Sequence, residues 1–163
     1  MRIVFIDPGV WAIGWVVADD SFIVDAGCTK VKKQNQSMEE TAEAHREQIG
    51  RVFDLAVIET MELRPTDTLS RCKSLLQLQS ISLIVATRIA YRVKTVPVSQ
   101  WKAPIPKPIH HARFIQAFTN EECSVIDRAL ISTPKANHKE ILDAAGLAMY
   151  YHGRTDRGGC VRR

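Results

Sequence analysis

No run of this sequence approaches the ~18 consecutive apolar residues of a membrane span. The N-terminus, MRIVFID, enters an apolar strand without the long apolar core of a signal peptide. The four cysteines, Cys28, Cys72, Cys123 and Cys160, are far apart, form no C-x-x-C pair and stand at no cysteine–histidine spacing suited to zinc. They read as free thiols of a reducing compartment, so a soluble cytoplasmic protein is expected. Internal repeats, low-complexity segments and a P-loop are also missing.

What is present is an ordinary globular composition, 45% apolar and 25% charged over 163 residues. A chain of this length buries roughly 70% of its unfolded surface and needs no disulfide or structural metal to hold a core. The expected layout is one domain over residues 1–152 and a basic tail over 153–163. The net charge is +4. After Tyr151, Arg154, Arg157, Arg162 and Arg163 against Asp156 carry +3 of it, leaving the body near neutral. Charge therefore points only weakly to a polyanionic partner, and the tail reads as a mobile phosphate-seeking arm or a solubilising end.

Hydrophobic patterning gives an α/β order. Ile3 to Asp7 is strand-like and stops at Pro8-Gly9; Gly14 to Ala18 resumes strand character, and Phe22 to Cys28 makes a third strand. Lys30 to Ser37 reads as a loop, and Ser37 followed by Glu40 is a capping-box pattern that starts a helix. Leu55 to Glu59 is a buried strand closed by a carboxylate. Thr66 to Arg92 contains no glycine or proline and predicts a long helix, and Val93 to Val98 a fifth strand. Pro104, Pro106 and Pro108 argue for a constrained loop from Trp101 to His111, before a helix at Ala112 to Phe118. The last helix is expected over Asn137 to Tyr151.

Four carboxylates stand out from this pattern. Asp7 and Glu59 each close an apolar strand, and Glu140 and Asp143, three apart, share one helical face with Cβ atoms about 5–6 Å apart. Alone, Asp7 can be a turn residue, Glu59 a salt-bridged strand end, and the helical pair a solvated face. The small apolar run Ala144-Ala145-Gly146-Leu147-Ala148 favours a helix packed closely on a sheet, where unpaired carboxylates are costly and a cation is expected. Oxygen donors without histidine or cysteine suit Mg²⁺, with Mn²⁺ as substitute, and two ions per active site are expected, which together activate water and stabilise a leaving phosphodiester oxygen.

Asp7-Pro8-Gly9 with Gly14-Trp15, then Val57-Ile58-Glu59, then Glu140-x-x-Asp143-Ala144, together resemble the RuvC-type Holliday-junction resolvases, in that family's order and over most of the chain. The resemblance implies a ribonuclease-H-like fold with a five-stranded mixed sheet flanked by helices. It also implies a metal-binding, catalytic tetrad of Asp7, Glu59, Glu140 and Asp143, a homodimer built on the helix around 66–92, and a branched-DNA substrate with a branch-migration motor as possible partner.

By the same likeness Lys107 would steady the scissile phosphate, with Lys102 and Arg113 beside it. Arg64, Arg71 and Lys73 would contact DNA phosphates. The chain departs from the family in three places. The family has aspartate or histidine where Glu140 stands, and His138 is a competing candidate. Thr60, Met61, Glu62 and Leu63 offer no aromatic wedge, leaving Met61 or Leu63 as an apolar one. The segment Trp101 to Arg113 is proline-rich where the family loop carries glycine. Two other functions remain open: a non-catalytic binder of branched DNA, and an actin-like or sugar-kinase-like phosphotransfer domain, against which the single-domain length argues.

Overall fold

The computed structural model describes residues 1–32 and 37–162. Part of the expected 30–37 loop, and Arg163, therefore lie outside the described residues. Five strands form one sheet in the order β3-β2-β1-β4-β5, with β1 (Arg2–Asp7), β2 (Ala12–Asp19), β3 (Phe22–Lys30), β4 (Leu55–Thr60) and β5 (Val93–Pro97). β1, β2 and β3 are antiparallel neighbours, whereas β4 runs parallel to β1 and β5 parallel to β4. The mixed sheet expected from the sequence is the one observed.

Both faces of the sheet are covered, so β1 carries an unbroken apolar run in place of strict alternation. Ile3 and Phe5 point to one face, where α5 (Asn120–Ser132), α6 (His138–Tyr151) and the residues Trp101 and Phe114 close the core. Val4 and Ile6 point to the other, under α1 (Met38–Ile49) and α2 (Leu69–Ile89). The capping box that starts α1 is complete: Ser37 Oγ accepts from the Glu40 N–H and the Glu40 side chain accepts from the Ser37 N–H. α2 begins three residues later than the uninterrupted pattern suggested because Thr68 caps it, accepting from the Arg71 N–H. Only its second half is buried on the sheet; Leu69 (72% exposed) and Leu76 (60%) stand in solvent.

Three expectations are corrected. The proline-rich segment is helical at both ends, as α3 (Val98–Trp101) and α4 (Lys107–Phe114). Pro108 sits in the first turn of α4, where the missing N–H has no intrahelical acceptor to serve. A helix overlooked in the sequence, α5, starts from a second capping box, Thr119 with Glu122. Residues 153–162 of the basic end are folded onto the body rather than free of it. Arg154 pairs with the buried Glu122, the Ala103 N–H donates to Arg157 O at 2.9 Å, and Thr155 is buried beside a bridge to Val161. Among the described residues no helix is long and apolar enough to cross a membrane.

Candidate metal centre

β1 ends at Asp7 because Pro8 cannot continue the ladder, and the parallel pairing of Ile6 with Ile58 sets Asp7 and Glu59 side by side at the C-terminal edge of adjacent strands. α6 is laid across β2 and β1 at Gly14. A Cβ there would fall 2.1 Å from Glu140 O, so only glycine lets the helix backbone descend far enough to bring Glu140 and Asp143 to Asp7. The Asp-Pro-Gly turn and the later glycine thus serve one geometric purpose.

Asp7, Glu140 and Asp143 each offer a carboxylate oxygen within 4.8 Å of the others. Glu59, 1% exposed, stands beside this trio and is turned to Lys102, whose Nζ donates to Glu59 Oε2 at 2.8 Å. Lys102 Nζ also lies 3.4 Å from Asp143 Oδ2 and 4.3 Å from the centroid of the Trp101 ring. Lys107 Nζ donates to the same Asp143 oxygen. His111 Nε2 approaches Asp143 Oδ1 at 2.9 Å. Glu59 Oε1 is buried and finds no hydrogen-bond partner among the described residues.

These environments push the acids in opposite directions. Burial, then the charges of Asp143 and Glu59, raises the Asp7 pKa well above the ordinary carboxylate value. Burial also raises Glu59, and the Lys102 and Lys107 ammoniums offset this only in part. Asp143 is buried too, but His111, Lys102 and Lys107 together outweigh that and hold its carboxyl below the usual range. An ionised Asp143 beside a carboxyl that resists ionisation is the state of a site short of positive charge. The donor set fits a hard divalent cation: oxygens only, one of them orphaned, and an Asp7 whose charge lacks compensation.

Of the remaining sequence candidates, His138 is turned away, its Nε2 2.8 Å from Thr133 O. Arg64 and Arg71 line a groove of about 590 Å³ with Met61 and Leu63, although Arg71 is engaged with Asp67 at 2.7 Å. A second groove, about 320 Å³, shares Arg64 and reaches Lys102 and Arg157. Lys73 is exposed on α2, and Arg113 donates to Gly158 O at 3.3 Å, holding the C-terminal turn. Sequence reasoning did not find His111 or Arg157. His111 was hidden by reading 101–111 as loop. As part of α4 the His110-His111 pair faces the core, and burial together with the Lys102 charge pulls His110 down to about 4.

The sheet order, the parallel β1–β4 step and the helices on both faces define a ribonuclease-H-like fold with an acidic cluster at the strand ends. The fold is shared with RuvC. The Thermus thermophilus RuvC in complex with Holliday junction substrate matches at a TM-score of 0.53 and 14% identity, over 94% of this chain and 96% of that one. A second Thermus thermophilus RuvC structure matches over the same shares, at 0.49 and 14%. A ROK hexokinase from Thermus thermophilus reaches 0.37 at 20% identity, over 68% of this chain and 37% of its own. At these identities the likeness shows the fold alone, and only the first score is high enough to argue from. Neither a family model nor a curated protein sequence matches the chain.

Proposed function

We propose that this chain is a Mg²⁺-dependent endonuclease, with Mn²⁺ able to substitute, that resolves Holliday junctions and related branched DNA as a homodimer. The observation that carries the reading is the convergence of the Asp7, Glu140 and Asp143 oxygens within 4.8 Å, in a buried site with lysines on its rim. Asp7, Glu140 and Asp143 would hold the ion, with the orphaned Glu59 Oε1 beside them. A bound divalent ion supplies Lewis-acid polarisation of the phosphodiester and makes the attacking water more acidic.

The chain's own groups do the rest. His111 fixes the orientation of Asp143 through Oδ1. Lys107, 54% exposed, has the freedom to leave Asp143 and meet a phosphate as negative charge develops on it. Water adds to phosphorus and an ester oxygen leaves, with no covalent link to the protein. Arg64, Arg71 and Lys73 would hold duplex arms by their phosphates, carrying no base readout. Met61 and Leu63, on the groove wall, supply the apolar surface for an unpaired base.

The exposed half of α2, with Leu69 and Leu76, is the surface for the two-fold partner, which lets two like sites cut two strands symmetrically. The test is Asp7→Asn: junction binding is retained in a gel-shift titration while cleavage is lost. A correctly folded Asp7→Asn protein that still cuts would remove the acidic centre from the mechanism.

A further inference from the structure

We infer that Lys102 takes the place of a second cation, so that the centre binds one divalent ion per chain rather than a pair. This rests on the metal-dependent reading above and specifies its stoichiometry. The carboxylates divide into two groups. Asp7, Glu140 and Asp143 gather their oxygens within 4.8 Å, whereas Glu59 faces the Lys102 ammonium at 2.8 Å. Two ions about 4 Å apart need carboxylate oxygens beyond the trio's shared ones. On the Glu59 side, Lys102 Nζ already holds Glu59 Oε2 and lies 3.4 Å from Asp143 Oδ2. Glu59 Oε1 is left as a single acceptor, far short of the near-octahedral oxygen set that Mg²⁺ demands.

Lys102 is also held as a resident group is held. Its side chain is 16% exposed, its ammonium lies over the buried Trp101 ring, and its backbone N–H closes α3 on Val98 O at 2.9 Å. Withdrawing it would leave the Glu59 carboxylate buried and unpaired. Lys107 is different: 54% exposed and, among the described residues, paired with Asp143, which keeps His111 and Lys102, it can leave without such a cost.

The test is Mn²⁺ binding to the purified full-length protein, with stoichiometry from calorimetry and ion–ion coupling from electron paramagnetic resonance. Wild type is expected to bind one Mn²⁺ per chain with the spectrum of an isolated ion. Lys102→Met, which keeps the stem and removes the charge, is expected to bind two, spin-coupled. Two coupled ions in wild type, or a folded Lys102→Met that still binds one, would overturn the inference and leave the metal-dependent reading standing. No binding in wild type, or binding that Asp7→Asn does not weaken, would overturn both. If Lys102→Met fails to fold by circular dichroism, the wild-type stoichiometry and spectrum decide.

Discussion

His111 Nε2 donates to Asp143 Oδ1 across 2.9 Å, joining a ring on α4 to the carboxylate on α6 that also receives Lys102 and Lys107. With Oδ1 fixed by the ring, the carboxylate plane is set and Oδ2 is turned to the cationic side of the site. Removing such an orienting partner typically costs about 10–100-fold in metal affinity or activity. His111→Phe is therefore expected to weaken Mn²⁺ binding and slow single-turnover cleavage by roughly that factor, with His111→Asn partly restoring both. Unchanged Mn²⁺ affinity in a folded His111→Phe protein would return this histidine to a packing role.

Gly14 gives a steric prediction. A methyl group there meets the backbone of Glu140 and Ile141 within 2.7 Å, and backbone cannot turn aside as a side chain can. Gly14→Ala should lift α6 from β2 and spread Asp143 and Glu140 from Asp7. The expected result is a folded but less stable protein whose Mn²⁺ affinity falls at least ~10-fold, since small misplacements of ligands cost that much. Calorimetric titration of the variant checks it.

Asp7 makes stability depend on pH in a direction opposite to that of an ordinary paired carboxylate. Its pKa is raised in the folded protein, first by burial and then by Asp143 and Glu59. The native state therefore holds the proton more tightly than the unfolded chain does, and stability falls as pH rises from about 4 toward the raised value. Asp7→Asn removes this loss. In metal-free buffer the variant should be the more stable protein at neutral pH, by an amount that grows as pH rises and shrinks when Mg²⁺ is added to wild type. Urea denaturation at several pH values, with and without Mg²⁺, measures it.

At the far end of the molecule, Arg154 clamps the buried Glu122 and reaches the carbonyls of Ser21 and Ala117, tying the C-terminal turn to α5 and β3. Glu122 keeps the Thr119 and Ile23 N–H donors when the arginine is removed, but its charge is then unpaired. Arg154→Met should destabilise the fold by about 3 kcal/mol, the typical cost of breaking a buried pair from one side. A loss under ~1 kcal/mol would place this pair with surface ion pairs.

Much of the sheet could be read from the sequence because its central strands β1, β2 and β4 are apolar and mostly buried, and β1 and β4 stop at Asp7-Pro8-Gly9 and near Glu59. The acidic residues were legible for the same reason: Asp7 and Glu59 interrupt runs that need no charge, and Glu140 and Asp143 have the spacing of one helical face. The α4 region was not legible. A proline in the first turn of a helix looks the same, residue by residue, as a proline in a loop, so His111 was not placed in a helix. Lys102 was legible as a basic residue near a phosphate site but not as the partner of Glu59. That pairing depends on β5 lying beside β4, so that the α3 turn after β5 brings Lys102 to Glu59, which no local pattern encodes. The docking of Arg154 is not legible locally, because the carboxylate that holds it, Glu122, lies on α5, 32 residues away in sequence.

Cleavage of a labelled synthetic four-way junction, compared with matched linear duplex in Mg²⁺, Mn²⁺ or EDTA, tests the central claim most directly. Paired, symmetric nicks are expected in the junction with either metal, none in EDTA, and none with Asp7→Asn. Tight junction binding with no cutting under any divalent ion, or cutting that persists in EDTA, would contradict it.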